Sequence, residues 1–319
     1  LTEEKLAGHL FDSLRNKIMP LSDDLIVYPN HGAGSACGKK MSKETTDTLG
    51  NQKKTNYALR ADMTREEFIQ ELLTGLTTPP GYFPQNVLMN IGGYESFDEI
   101  MKQAATPLKP EEFEVAAGGL EALVLDTRDA ETFAEGHIPG SINIGLDGNF
   151  APWVGELIPD LETPILLVTE IGREEEAITR LSRVGYDNTR GYLKNGFGSW
   201  KRAGLATEKI NRITAEELKK LLSEQKIKVI DVRKKSEYDS EHLLDAINVP
   251  LNQINQHLDQ FTKNEFFVLH CAGGYRSMIA ASILQQRGWD NFSDVIDGFK
   301  AIKEAGLPVS DYVCPSTLL

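Results

Sequence analysis

The sequence predicts a protein of the α/β class, in which central parallel β-sheets are flanked by helices. Short apolar runs such as Phe266–Leu269 are typical of strands that are buried on both faces of such a sheet. Segments with helical periodicity follow them, as in Ser277–Arg287, which Gly288 closes. This alternation occurs twice in the last two thirds of the chain. It therefore predicts two copies of one small parallel α/β domain.

The composition argues against several classes of protein. The 319 residues include 34 Lys and Arg against 47 Asp and Glu, so the formal net charge is −13. Such a chain lacks the clustered positive charge that nucleic acids attract, so we expect neither a nucleic-acid nor a membrane partner. Three scattered cysteines without a CxxC pair argue against a disulfide framework and a structural zinc site, and they favour a cytoplasmic location.

Residues 1–115 differ from the rest of the chain and are predicted to form a separate region. An amphipathic helix is expected over Leu6–Ile18, a strand over Leu25–Tyr28 and a second helix over Arg65–Thr74. The chain begins Leu-Thr-Glu-Glu without a methionine. We therefore expect it to be a fragment of a longer protein.

An internal repeat defines the two copies. Residues 123–197 (the first copy) match residues 228–299 (the second copy). Residues at the strand ends recur at an offset of 105 in sequence number: Asp126, Arg128, His137, Ile142 and Asn143 match Asp231, Arg233, His242, Ile247 and Asn248. The predicted domains are 116–206 and 207–319. In the second domain, Thr214 begins a capping box that opens a helix through Leu222.

The strongest chemical signal is the loop CAGGYRS at residues 271–277. It follows a buried strand and opens a helix, so its glycines allow successive N–H groups to point inward as an anion-binding nest. The helix N-terminus and Arg276 add positive charge, and all three features favour a nucleophilic thiolate at Cys271. The same nest would stabilise a persulfide. The alternative is a buried structural cysteine at a strand end.

At this point the repeat resembles the rhodanese family, on the residues IDVR (230–233), Glu241-His242, INVP (247–250) and CAGGYRS (271–277). The resemblance implies that Cys271 is the catalytic residue and carries a persulfide. It also implies that Arg276 stabilises this group or contacts an anionic donor. By the same resemblance, a set of loop residues cradles the sulfur and two strand-end residues support the site: Ala272, Gly273, Gly274, Tyr275 and Ser277, with Asp231 and Arg233 in support. We interpret His242 as structural.

The first copy departs from the rhodanese pattern at the reacting position. Aligning the loops puts Glu170 opposite Cys271 and Glu175 opposite Arg276. A carboxylate cannot accept a sulfane sulfur, and Glu174 and Glu176 add negative charge where an anion would bind. The first copy is therefore predicted to be catalytically inactive and used for packing or partner contact. The alternative is that Glu170 does unrelated acid–base work.

The N-terminal region resembles the C-terminal part of a metallo-β-lactamase αββα fold, on NHGAGSACGK (30–39). The nearest subgroup contains persulfide dioxygenases and glyoxalase II, in which His31 matches the last histidine of the metal region. The HxHxDH motif of that family is absent. We therefore expect no cofactor in this chain, a vestigial or partial metal site at His31, and iron or zinc in a full-length protein. Cys37 is interpreted as structural and Cys314 as incidental.

These expectations combine into one functional hypothesis with two alternatives. The chain is predicted to be a sulfurtransferase that takes sulfur from thiosulfate or glutathione persulfide and passes it to thiols, as part of a persulfide dioxygenase–rhodanese fusion. One alternative is a glyoxalase II-like thioester hydrolase with rhodanese appendages. The other is a non-enzymatic sulfur-carrier or protein-interaction module. A homodimer through the metallo-β-lactamase region is also expected from the resemblance.

Overall fold

The computed structural model describes residues 2–28, 45–74, 83–93 and 96–313. The chain divides into two compact units, Leu1–Pro79 and Pro80–Leu319. His31, expected to be a vestigial or partial metal site, and the cysteines Cys37 and Cys314 lie outside the described residues. The two units are described separately.

The described part of the N-terminal unit contains short helices and one small antiparallel sheet. Its elements are the helices Glu3–Ser13, Leu49–Thr55 and Arg65–Leu73, the π-helical turn Leu14–Ile18, the 3₁₀ turn Tyr57–Leu59, and the strands Ile26–Val27 and Asp47–Thr48. The helix predicted over Leu6–Ile18 begins earlier, because the Thr2 side chain accepts from the N–H of Lys5. It changes to π geometry after Ser13.

The first copy is built around a five-stranded parallel sheet. Its strands are Pro107–Leu108, Leu123–Asp126, Ile142–Asn143, Ile165–Val168 and Thr189–Leu193. Its helices are Pro110–Gly119, Ala130–Glu135, Phe150–Leu157, Glu174–Ser182 and Gly196–Arg202. Two further helices, Phe83–Gly92 and Phe97–Ala104, precede it in the same unit.

The second copy repeats this arrangement. Its strands are Arg212–Ile213, Lys228–Asp231, Ile247–Asn248, Phe267–His270 and Phe292–Val295, all parallel. Its helices are Ala215–Glu224, Lys235–Ser240, Tyr275–Gln286 and Gly298–Glu304, with 3₁₀ turns at Leu251–Gln256 and Leu258–Gln260. If the strands of each copy are numbered along the chain, both sheets have the order 1-5-4-2-3. The predicted α/β class with two parallel sheets is confirmed.

The predicted helices of the second copy form close to their expected limits. The Thr214 side chain accepts from the N–H of Glu217, and the Glu217 carboxylate accepts from the N–H of Thr214, so the predicted capping box is present. The helix predicted over Ser277–Arg287 begins two residues earlier, since Gly274 holds the positive φ that ends the preceding loop.

One apolar core contains residues of both copies. Successive strand residues point to opposite faces of a sheet, so Leu125 and Leu269 contribute to the shared core, while Val124 and Val268 pack against helices of their own copies. Each sheet is therefore buried on both faces, as the apolar strand runs predicted. The two copies are joined by this core into one unit.

The first copy begins earlier in the chain than the sequence indicated. The strand Pro107–Leu108 pairs with Thr189–Leu193, and the buried side chain of Phe113 packs with Trp200. The boundary predicted between residues 115 and 116 falls inside the helix Pro110–Gly119. A two-residue edge strand has too little periodicity to be recognised before its partner is known.

Candidate active site

Cys271 lies at the carboxyl end of the strand Phe267–His270, directly before the helix Tyr275–Gln286. The carboxyl ends of parallel strands are where sites form in open α/β sheets. Only 1% of the Cys271 surface is exposed. The thiol is thus enclosed by its own loop.

Two donors of this loop lie against the sulfur. The N–H of Gly274 donates to the Cys271 Sγ at 3.1 Å, and the hydroxyl of Ser277 lies 3.5 Å from the same atom. Gly274 has a φ of +95°, a conformation that L side chains rarely adopt. The glycine therefore permits the turn that aims its amide at the sulfur.

The backbone of the loop is anchored from behind by the helix Gly298–Glu304. The N–H of Phe299 donates to the carbonyl of Cys271 at 2.7 Å, and that of Lys300 donates to the carbonyl of Ala272 at 3.2 Å. A Cβ at Gly298 would lie 2.3 Å from the Cys271 carbonyl oxygen. Glycine at this position is what lets the helix approach so closely.

Arg276 is held by a carboxylate, Glu237, that no sequence motif indicates. Its guanidinium makes a two-point ion pair with Glu237, at 2.5 and 2.8 Å. Burial raises the pKa of Glu237, but the hydrogen bond and charge of Arg276, with smaller contributions from the Lys234 N–H and the charge of Arg233, together hold this pKa below its usual value. The pair fixes a planar guanidinium beside the loop.

Asp231 and Arg233 form a buried ion pair beneath the site. Arg233 donates to both Asp231 oxygens and to the carbonyl of Glu241, and it lies 4.0 Å from the centre of the Phe299 ring. Asp126 and Arg128 make the equivalent pair in the first copy. This pair therefore occurs in both copies, whether or not the loop of the copy contains a cysteine.

A second buried carboxylate, Asp294, lies on the strand Phe292–Val295. It accepts from Arg212 Nε at 3.0 Å and is fully buried. Burial raises its pKa to about 6, while the nearby Ser277 hydroxyl and Arg212 lower it in part. Neither Asp294 nor Arg212 was predicted from the sequence to be a site residue, since neither belongs to a recognisable motif.

Tyr275 joins the loop of the second copy to the first copy. Its hydroxyl donates to the carbonyl of Gly145 at 2.8 Å. A Cβ at Gly148 would lie 2.3 Å from the Tyr275 ring, and one at Gly145 would lie 3.3 Å from it. The first copy therefore shapes one wall around the loop.

The helix behind the loop is attached to the first copy as well. The Ser282 hydroxyl accepts from the N–H of Asn143 at 3.0 Å, and the Gln285 side-chain oxygen contacts His137 Nε2 at 2.9 Å. These bonds join the edge of the first sheet to the helix that follows Cys271.

A family comparison identifies both copies. The model described as "Rhodanese-like domain" matches residues 109–203 and 214–305, which is more than half of the chain. The chain belongs to the rhodanese-like domain family.

Individual proteins are similar over parts of the chain. The "Putative sulfur carrier protein YrkF" of Bacillus subtilis is 26% identical over 92 residues, which cover 28% of this chain and 50% of that protein. A protein named "Sulfurtransferase" from Allochromatium vinosum is 27% identical over 101 residues, covering 31% of this chain and 94% of that protein. A solved metallo-beta-lactamase from Staphylococcus aureus is 30% identical, covering 60% of this chain and 51% of that chain, with a TM-score of 0.43.

The equivalent loop of the first rhodanese-like domain is arranged differently. Glu170, at the position of Cys271, is exposed. The N–H of Gly172 donates to the carboxylate of Glu174 at 2.9 Å. This loop amide is therefore already hydrogen-bonded to a side chain of the same domain. Arg173 is paired with Asp147 and Glu176.

The histidines at the matching turns of the two rhodanese-like domains have the same surroundings. His242 stacks on Tyr238 with ring centres 3.8 Å apart, and its Nδ1 contacts the Tyr238 carbonyl at 2.7 Å. His137 stacks on Phe133 at 3.9 Å with the equivalent contact at 3.0 Å. This shared geometry supports a structural role for His242.

Within the part of the chain that the structure describes, no group of three or more His, Cys, Asp or Glu side chains could hold a metal ion. Over the same residues, no helix has the length and apolar character needed to cross a membrane.

Proposed function

We propose that this chain is a sulfurtransferase that carries sulfane sulfur on Cys271. The observation that carries the proposal is the position of the Cys271 sulfur, 3.1 Å from the Gly274 N–H within the loop of a rhodanese-like domain. The similarity to a protein named "Sulfurtransferase" supports the same chemistry.

The proposed reaction has two half-reactions. The Cys271 thiolate attacks the outer sulfur of thiosulfate, a new S–S bond forms, and sulfite leaves with the electron pair of the broken bond. With glutathione persulfide, the leaving group is the glutathione thiolate. An acceptor thiolate then attacks the outer sulfur of the Cys271 persulfide and restores the Cys271 thiolate.

The loop residues act on the charge that this chemistry creates. The Gly274 amide and the Ser277 hydroxyl donate toward the sulfur, which favours its anionic form. Arg276, oriented by Glu237, adds positive charge where an anionic donor approaches.

The test is the intact mass of the protein after incubation with thiosulfate. We expect the wild type to gain one sulfur atom, cyanide to remove it, and Cys271→Ala to gain none. Cys37→Ala and Cys314→Ala are matched controls, because they remove the other thiols of the chain and should leave the gain intact. Sulfur uptake by Cys271→Ala would refute the proposal.

A second candidate, a sulfur carrier that loads without turning over quickly, is favoured by one observation. Cys271 is almost fully enclosed, so a small donor reaches it only when the loop opens. A carrier would gain the sulfur atom but release it to thiols over many minutes. Steady-state turnover with thiosulfate and a thiol acceptor distinguishes it from the enzyme.

The persulfide dioxygenase fusion, the glyoxalase II-like alternative and the homodimer stay proposals that rest on residues 30–39. His31 lies outside the described residues, and the described residues lack a metal-binding group of side chains.

A further inference from the structure

The second rhodanese-like domain contains a buried ion pair below its loop, between Asp294 and Arg212. The two residues are register partners on adjacent parallel strands. Asp294 is fully buried, and Arg212 Nε donates to its Oδ2 at 3.0 Å. Its other oxygen, Oδ1, is buried and accepts no hydrogen bond from the described residues. Asp294 thus has one oxygen, Oδ2, that accepts a hydrogen bond from Arg212, and a second oxygen, Oδ1, to which the described residues donate no hydrogen bond.

Both members of this pair lie next to groups that contact the sulfur. The Arg212 Nη2 lies 3.3 Å from the position of a Cβ on Gly274, whose amide donates to the Cys271 Sγ. The Ser277 hydroxyl, 3.5 Å from that sulfur, is near enough to Asp294 to lower its pKa. The same hydroxyl lies 3.2 Å from the Gly274 carbonyl oxygen, so the sulfur, this carbonyl and Asp294 compete for its one proton.

The first rhodanese-like domain has no such pair at the equivalent register. There, Tyr192 is the partner of Pro107 across the same two strands of the sheet. The Asp–Arg pair therefore occurs in the domain that has the cysteine loop, whereas the Asp126–Arg128 type of pair occurs in both.

We propose that Asp294 and Arg212 are positioning residues that control the reactivity of the Cys271 sulfur through Ser277 and Gly274. Ionised Asp294 draws the Ser277 hydroxyl toward Oδ1 and places a negative charge under the loop. Protonated Asp294 leaves this hydroxyl free to donate to the sulfur and leaves the charge of Arg212 uncompensated. The inference deepens the proposed function and rests on it.

The proposed protonation change of Asp294 falls in a mildly acidic pH range. Burial raises the pKa of Asp294 to about 6, and Arg212 is the charged group that acts on it. The neighbours on the other packed elements, Leu269 on the adjacent strand and Ser277 on the helix, are uncharged. A negative charge near a thiol disfavours the thiolate, so protonation of Asp294 favours the anionic sulfur.

The test is the pH profile of Cys271 alkylation by iodoacetamide, in full-length protein with Cys37→Ala and Cys314→Ala. Asp294→Asn copies the neutral acid, so we expect alkylation at pH 6.5 to be about three to ten times faster than in the parent protein. Arg212→Gln removes the charge that lowers the pKa of Asp294, so the change in alkylation rate near pH 6 should move to higher pH. A loosened loop would instead speed alkylation of both variants at every pH.

Two further variants keep the result interpretable. Ser277→Ala removes the hydroxyl, and the effect of Asp294→Asn should be smaller in that background. If Asp294→Asn does not fold, Arg212→Lys is the comparison, since it keeps the charge and should retain the parent profile that Arg212→Gln loses. Profiles that coincide for the parent, Asp294→Asn and Arg212→Gln would overturn the proposal. Alkylation needs no sulfur donor, so its outcome is separate from sulfur uptake.

Discussion

Replacing Gly148 by alanine tests whether the first rhodanese-like domain shapes the Cys271 loop of the second. The new Cβ would lie 2.3 Å from Tyr275 Cζ and 2.4 Å from Cε2. Carbon atoms do not approach so closely, so either the ring or the Gly148 segment must move. Overpacking of this kind costs about 1–3 kcal/mol. The displaced ring would also lose its hydrogen bond to the Gly145 carbonyl.

The assay is urea unfolding of Gly148→Ala, in the wild-type background and in Tyr275→Ala. We expect the destabilisation to fall to near zero when the ring is absent, which gives a coupling energy of about 1–3 kcal/mol. Gly118→Ala is the matched control, because a Cβ there meets nothing within 4 Å and lies in the helix Pro110–Gly119. It should leave stability unchanged or raise it by up to about 1 kcal/mol. An equal cost of Gly148→Ala in both backgrounds would refute the reasoning.

The same variant should slow sulfur loading, because Tyr275 lies between the amide donor Gly274 and Arg276 in the loop. The initial rate of mass gain with thiosulfate measures this effect. Loading at the wild-type rate in folded Gly148→Ala would show that the wall formed by the first domain does not position the loop.

Two further predictions concern carboxylates. Glu170→Cys in the Cys271→Ala background should gain no sulfur by intact mass, because Glu174 already accepts from the loop amide of the first domain; uptake at Glu170→Cys would contradict this. Asp294 has its pKa raised from 3.8 to about 6 in the folded protein, so its contribution to stability is fully present below pH 3.8 and is lost as pH rises through about 6. Urea unfolding between pH 4 and 7 should show this slope in the wild type, and Asp294→Asn should lack it.

Local sequence was sufficient to predict the helices and strands that depend on periodicity and capping. The strand Phe267–His270 is short and wholly apolar up to its last residue, and the Thr214 capping box needs residues only three apart. The loop chemistry was also local, because Cys271 and Gly274 are three residues apart and the turn between them needs only glycine.

The site contacts that were missed all join distant parts of the chain. Glu237 lies 39 residues from Arg276, Arg212 lies 82 residues from Asp294, and Gly145 lies 130 residues from Tyr275. No motif links these pairs. They meet because of the strand order within the second sheet and because both sheets pack on one shared core.

The amino-acid order along the chain was thus sufficient to reveal the repeat, the parallel α/β class and the cysteine loop, since each depends on neighbours within a few residues. Tertiary structure alone decided which charges surround that loop and which domain forms its wall. The physical reason is that an ion pair or a packed ring depends on distance in space. Strand order and the packing of the two domains set that distance, and neither can be read from local spacing.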